Sequence, residues 1–178
     1  MMQGLCYSAL DIAAIVSSLQ LGCRAENRML DRIWDGEKAF LDISYRENQK
    51  KFILDTYHWM HYFYDKPIID RELPAIQKDL AHLSKDLHVE DLTSDFSELD
   101  LFFKSARIRI LYGNGNDYVR IKLRTLLKRY GYKRRSTILL QHINQCMKFY
   151  HLDAALSGGV PCSIETVKLD QMLTFRVV

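Results

Sequence analysis

The sequence lacks most of the features that identify an enzyme or a secreted protein. It has three prolines, eight glycines and four cysteines, with no CxxC pair among the cysteines. Scattered single cysteines predict a protein of a reducing compartment rather than a disulfide framework. No P-loop, GxGxxG, GxSxG or HExxH motif is present, and no paired acids lie in a catalytic context. We therefore expect no enzymatic activity and no cofactor.

Long apolar runs are also missing. The uncharged run 12–21 is too short to span a bilayer and has no basic segment before it, as a signal peptide would. We expect no membrane association and a cytoplasmic location, nucleoid-associated in a bacterium or nuclear in a eukaryote. Hydrophobic residues make up 48% of the 178 residues, which is enough to build a buried core.

Charge is unevenly distributed along the chain. Residues 1–100 hold 11 Lys/Arg against 18 Asp/Glu, whereas residues 101–178 hold 14 against 4. The formal charges of the two parts are therefore −7 and +10. Such asymmetry predicts a polyanion-binding part joined to an acidic part with another role. The alternative is that both are solvated faces of a single domain.

The sequence pattern of the acidic part predicts a helical bundle. Ser8 and Asp11 form a capping-box pattern at the start of one helix. Further helices are predicted over 27–34, 44–64 and 70–87, and the polar stretch 88–93 is the candidate boundary. We therefore expect an acidic helical domain at 1–93, used for homodimerisation or for contact with a protein partner, and a basic domain at 94–178.

Two amphipathic helices joined by a short basic turn dominate the second part. The first is predicted from an Asp117 cap to Tyr130, and Gly131 can take the left-handed conformation of a helix end. Ser136 or Thr137 can cap the second helix, whose apolar stripe is Leu139, Ile143, Cys146, Met147 and Tyr150. Two short helices around a glycine-containing turn indicate a helix-turn-helix.

Other elements are predicted around this pair of helices. A helix is expected over 94–104, and the alternation of isoleucine with arginine over 106–112 predicts a strand. Residues 163–169 and 172–178 are rich in β-branched residues and predict two strands joined by a tight turn near Asp170. The predicted fold class is thus mainly α with a small β-sheet.

Helix, strand, helix, helix, strand, strand is the element order of the winged-helix superfamily, which residues 94–178 resemble. The run 126–135, LLKRYGYKRR, followed by Ile143 and Leu152, is also similar to small winged modules of bacterial defence and restriction-type proteins. The resemblance implies a winged helix after the helical bundle. It also implies that the second central helix enters the major groove of double-stranded DNA.

Candidate base-contacting residues lie on that second helix, opposite its apolar stripe. Amide side chains can pair with adenine, and lysine can pair with guanine. An ordinary solvated helix face is the alternative, because glutamine and lysine are good helix formers. The candidates, spaced i, i+3, i+4 and i+7, are Gln141, Asn144, Gln145 and Lys148.

Candidate phosphate-binding residues lie on the first helix and on the turn. Like charges spaced i, i+4 repel, and a polyanion would relieve that repulsion and release counterions. A surface charge run without a partner is the alternative. The candidates are a predicted helical row, Arg120, Arg124 and Lys128, and the turn residues Lys133, Arg134 and Arg135.

Histidines do not form a metal-binding pattern in the sequence. His58 and His61 have i, i+3 spacing but no companion ligand, so buried or interfacial histidines are expected there. We interpret His142 as isolated, and Cys146 is expected to act as a small hydrophobic residue on the apolar stripe. We expect no metal site.

These features predict a non-enzymatic DNA-binding protein of winged-helix type, a regulator or a component of a defence system. The second hypothesis is an adaptor subunit that uses the winged helix for protein contacts, since fold does not fix function. RNA remains a possible ligand in place of duplex DNA.

Overall fold

A computed structural model describes residues 3–64, 96–113 and 115–178 of the chain. The chain divides into two compact units, residues 1–95 and 96–178. The predicted fold class is confirmed: the protein is mainly helical with a small three-stranded antiparallel sheet. The helix predicted over 70–87 and the boundary predicted over 88–93 lie outside the described residues.

In the described part of the first unit, three helices surround an aliphatic and aromatic core. They are α1 (Ala9–Ser18), α2 (Cys23–Glu37) and α3 (Gln49–Tyr64). The capping box at the start of α1 is confirmed, because the Ser8 hydroxyl accepts from the Asp11 amide and the Asp11 carboxylate accepts from the Ser8 amide. Fully buried core residues include Ile12, Val16, Leu30, Ile33, Phe52 and Met60.

The predicted third helix begins later than expected. Residues 38–40 and 43–45 form short 3₁₀ turns, and α3 starts only at Gln49. Trp34 Nε1 donates to the Tyr45 carbonyl at 2.9 Å, which fixes this turn to α2. The segment before it pairs with the N-terminal segment through a parallel bridge between Tyr7 and Leu41.

The second unit has the order helix, strand, helix, helix, strand, strand. The sheet order is β1-β3-β2, and both strand pairs are antiparallel. Leu173 and Phe175, on the central strand, are fully buried. The elements are α4 (Ser97–Tyr112), β1 (Val119–Lys122), α5 (Leu123–Arg129), α6 (Thr137–Phe149), β2 (Leu152–Ala155) and β3 (Met172–Val177).

The strand predicted over 106–112 is wrong, because α4 continues through these residues. Phe102, Phe103 and Ala106 are buried at helical spacing, and the apolar face extends past the point where the alternation begins. Arg107, which the alternation placed on a solvent face, is buried, and its Nη1 donates to the Tyr150 carbonyl at 2.8 Å.

The helix predicted from Asp117 is also wrong over its first residues. Residues 119–122 form β1, in which Ile121 is buried opposite Leu173 while Arg120 and Lys122 are exposed. The β-branched residues at 119 and 121 therefore fit a strand with one buried face. Arg120 does not share a helix with Arg124 and Lys128, so the predicted helical row of three cations does not exist.

The strand predicted over 163–169 is wrong as well. Residues 164–167 form turns, and the connection between β2 and β3 runs over 156–171 rather than through a tight turn near Asp170. Backbone contacts hold it against α5, where the Arg124 amide donates to the Leu169 carbonyl at 2.7 Å. The strand predicted over 172–178 is confirmed as β3.

The central turn, the end of α5 and helix α6 agree with the prediction. Gly131 has a φ of 80°, and the Ser136 hydroxyl accepts from the Leu139 amide as the cap of α6. Leu126 and Leu127 of α5 are buried, as are Leu139, Ile143, Cys146 and Tyr150 along α6. Among the described helices, none is both long enough and apolar enough to span a membrane.

Candidate nucleic-acid interface

Helix α6 has one buried face and one polar face open to solvent. Leu139, Ile143 and Cys146 pack inward with at most 2% exposure. The opposite side of the helix forms what we call the carboxamide face. Its members, all exposed, are Gln141, Asn144, Gln145 and Lys148. The four predicted base-contacting residues thus lie together on one accessible surface.

One member of the carboxamide face already has a partner within the unit. Asn144 Nδ2 donates to Glu165 Oε1 at 3.2 Å, and both side chains are exposed. This hydrogen bond links the middle of α6 to the 156–171 connection. Because water competes at such an exposed position, the bond is easily exchanged for one to another acceptor.

The turn between α5 and α6 presents exposed cations. Lys133 and Arg134 are both exposed, as is Lys128 on the last turn of α5. Within the described parts of the chain, none of these three side chains forms an ion pair. We call Lys128, Lys133 and Arg134 the cationic corner, since all three are exposed cations at the end of α5 or on the turn that follows it.

Arg135, predicted as a phosphate-binding residue, has a structural role instead. The residue is half-buried, and its Nη1 donates to the carbonyls of Ile164, Glu165 and Val167 at 3.3, 3.1 and 2.7 Å. This guanidinium therefore holds the turns of the connection against the start of α6. No local pattern predicts this role, because the acceptors are backbone groups about thirty residues further along the chain.

Arg124 is paired with an acid of its own unit. Its Nε and Nη2 donate to the two carboxylate oxygens of Asp170 at 2.6 and 2.8 Å, and both side chains are largely exposed, at 60% and 68%. The hydrogen bonds and charge of Arg124 lower the pKa of Asp170. This ion pair neutralises one of the cations that the sequence assigned to phosphate binding.

Arg120 belongs to the solvent face of the sheet. Its Nε donates to Thr174 Oγ1 at 3.2 Å, and its guanidinium lies 4.6 Å from the centre of the Tyr118 ring. Arg176 approaches the same ring at 5.6 Å. Lys122 is exposed two residues along β1. The sheet therefore carries a second group of cations, separate in sequence from the cationic corner.

A buried polar cluster connects α4 with α6, and it was not predicted from the sequence. His142 Nε2 hydrogen-bonds to the Asp100 carboxylate, and Cys146 Sγ lies 3.4 Å from Asp100 Oδ1 and 3.5 Å from His142 Nε2. The Phe96 ring stacks on the His142 imidazole with 4.2 Å between centroids. His142 is thus not isolated, and the i, i+4 spacing of His142 and Cys146 on one helix was the available signal.

The geometry of this cluster does not suit nucleophilic catalysis. In a cysteine–histidine pair oriented by an acid, the acid and the thiol contact different ring nitrogens. Here Asp100 and Cys146 both face Nε2 of His142. Burial, followed by the charge of Asp100, raises the pKa of the Cys146 thiol, which lowers its reactivity. The three side chains are instead arranged as a possible ligand set for a metal ion.

His58 and His61 do not join a comparable cluster. His58 is half-buried and His61 is exposed on α3. Among the described residues, Asp100, His142 and Cys146 are the group of three possible metal ligands that lie close together.

No protein-family model, no curated protein and no solved structure matches this chain. A functional assignment therefore depends on the geometry of the residues described above.

Proposed function

We propose that residues 96–178 form a winged-helix module that binds double-stranded DNA, and that the protein acts without enzymatic activity. The element order supports this assignment, since it is the order of the superfamily that residues 94–178 resemble. The acidic first unit would then supply a contact to a second copy or to a protein partner.

The observation that supports DNA binding most strongly is the joint exposure of the carboxamide face and the cationic corner. A recognition helix must offer polar side chains to base edges while neighbouring cations contact the phosphates that fix its register. The turn that bears Lys133 and Arg134 leads directly into α6, which bears Gln141, Asn144 and Gln145. Base contacts and phosphate contacts would therefore come from adjacent parts of one continuous segment.

Individual cations would contribute differently to DNA binding. Lys128, Lys133 and Arg134 would contact phosphates directly, since their side chains are exposed. Arg124 would contribute less because it is paired with Asp170, and Arg135 would contribute through the position of the connection. Arg120 and Lys122 on the sheet would meet a phosphate only if the duplex extends along β1.

The test is fluorescence anisotropy with a labelled random-sequence duplex over a range of salt concentrations. The double variant Lys133→Ala/Arg134→Ala should bind more weakly, and the slope of log affinity against log salt should fall by about 1.8, or 0.9 per lost phosphate contact. A matched control with the same charge change, Arg24→Ala/Arg28→Ala on the exposed side of α2, should bind like the wild type.

Two outcomes would contradict this assignment. Equal weakening by both double variants would indicate nonspecific attraction of a polyanion to the whole chain. Stronger competition by structured RNA than by duplex DNA would indicate an RNA ligand, because duplex RNA has a major groove too narrow for a helix.

The pairing of Arg124 and the structural use of Arg135 favour an adaptor as the second candidate function. Three of the six predicted phosphate-binding cations, Arg120, Arg124 and Arg135, already have partners within the unit. In that role the cationic corner would meet an acidic protein surface, either of a partner or of the first unit of another copy. An absence of any salt-dependent duplex binding, together with a stable complex with a protein partner, would support the adaptor.

A further inference from the structure

We propose that Asp100, His142 and Cys146 form a site for one divalent transition-metal ion, Zn²⁺ by preference, which links α4 to α6. One oxygen, one nitrogen and one sulfur atom converge there, all within 4.8 Å of one another. The proposal is independent of nucleic-acid binding, because it concerns a buried cluster on the inner side of α6.

The distances between the ligand atoms match those of a tetrahedral zinc site. With Zn–S near 2.3 Å and Zn–N and Zn–O near 2.1 Å, ligand atoms lie about 3.4 to 3.6 Å apart. Cys146 Sγ is 3.4 Å from Asp100 Oδ1 and 3.5 Å from His142 Nε2. Two of the three distances between ligand atoms therefore already have the required value.

The third distance, between Asp100 Oδ1 and His142 Nε2, requires a small movement. Asp100 Oδ1 and His142 Nε2 form a direct hydrogen bond, which must open to about 3.4 Å when an ion takes the place of the proton between them. His142 and Cys146 lie one turn apart on the same face of α6, and their ligand atoms are already at a suitable distance. Rotation of the single carboxylate on α4 is sufficient to admit the ion.

The charge and softness of the ligands select the ion. A divalent cation with one carboxylate, one thiolate and one neutral imidazole has no net charge, which favours a buried site. Cys146 is fully buried, and the side chains of Asp100 and His142 are 9% and 16% exposed. A thiolate disfavours Mg²⁺ and Ca²⁺, which take oxygen ligands, and suits Zn²⁺ or Co²⁺.

Three protein ligands leave one coordination position for water. His142 is the most exposed of the three, so water and the ion would enter past its imidazole. Since the ligands come from two helices, the unfolded chain does not present them together. Metal binding would therefore stabilise the fold of residues 96–178.

The experiment uses the full chain without a histidine tag, stripped with a chelator and titrated with Co²⁺. We expect one equivalent to bind, with the visible bands of tetrahedral Co²⁺ and a thiolate-to-cobalt charge-transfer band in the near ultraviolet, both removed by competing Zn²⁺. Zn²⁺ at 100 times its Kd should raise the Tm of the second unit by about 10 °C or more.

Two variants identify the ligands. Cys146→Ala removes the thiolate with a small change in volume, and Asp100→Asn removes the anionic charge while preserving the side-chain shape. Each should weaken Co²⁺ binding by more than about 100-fold, because even residues that only support a ligand affect affinity by 10- to 100-fold. Cys162→Ser, at a half-buried cysteine of the 156–171 connection, is the matched control and should bind like the wild type.

The wild-type protein alone can overturn the proposal, whatever the stability of the variants. If it binds no Co²⁺ at one equivalent, or binds it without the thiolate band, the cluster is a metal-free hydrogen-bond network. Wild-type affinity in folded Cys146→Ala would likewise assign the bound metal to other residues.

Discussion

Replacing Arg135 should destabilise the second unit rather than remove a phosphate contact. Its Nη1 donates to three carbonyls of the 156–171 connection, at 2.7 to 3.3 Å. Arg135→Ala would leave these acceptors without their charged donor, and the half-buried position limits how well water can replace it. The neighbouring Lys133 and Arg134 are exposed, so their replacement should leave stability nearly unchanged.

The magnitude follows from the geometry of the contact. A single nitrogen shared among three acceptors is worth no more than about one or two strong bonds, so we estimate a loss of about 2 kcal/mol in the free energy of unfolding. In a unit of this size, 1 kcal/mol shifts the Tm by about 4 to 8 °C. Arg135→Ala should therefore lower the Tm by roughly 8 to 16 °C.

Thermal unfolding followed by circular dichroism, with and without duplex DNA, separates the two roles. Arg135→Lys keeps the positive charge, but its ammonium lies one bond closer to the backbone than Nη1 does and falls short of the three carbonyls, so it should lose most of the same stability. Lys133→Ala, which also removes one cation from the turn, is the control and should keep the wild-type Tm. A Tm of Arg135→Ala within about 2 °C of wild type, with an affinity loss equal to that of Lys133→Ala, would refute the structural role of this residue.

Two further predictions concern the surface of the same unit. Asp170→Asn should strengthen binding to random duplex DNA and steepen the slope of log affinity against log salt by about 0.9, because it releases Arg124 for a phosphate. Fluorescence anisotropy over a range of salt concentrations measures both quantities. Unchanged binding would place Arg124 outside the DNA contact. Asn144→Ala and Gln145→Ala should each reduce discrimination between the preferred sequence and others by about 1 to 3 kcal/mol per lost base contact, with little loss on random DNA. Selection of binding sites from a random pool, compared between each variant and the wild type, measures that change, and an unaltered preference would exclude these amides as base readers.

Local sequence signals were sufficient where the responsible contacts are local. The capping box at Ser8 and the left-handed Gly131 are fixed within a few residues and were predicted, and Ser136 was one of the two predicted candidates for the cap of α6. The apolar stripe of α6 was also predicted, because burial along a helix follows its 3.6-residue period.

Predictions failed where distant partners decide the structure. The alternation over 106–112 suggested a strand, but Arg107 is buried through its bond to the Tyr150 carbonyl, over forty residues away. Val119 and Ile121 lie within the helix predicted from Asp117, but β3 supplies a strand with which they pair. The Asp100–His142–Cys146 cluster required α4 and α6 to be adjacent, and no local pattern determines that.

The position of β3 in the sheet has a consequence for how the protein is made. This strand lies between β1 and β2 and forms hydrogen bonds with both, although it follows them in the chain. During synthesis, β1 and β2 therefore emerge from the ribosome before the strand with which both pair. The apolar side chains that Leu173 and Phe175 cover in the folded unit remain exposed to water until β3 has been synthesised. We expect the sheet to close only after translation has passed Val177, so a stalled chain that ends before Met172 should attract chaperones and proteases.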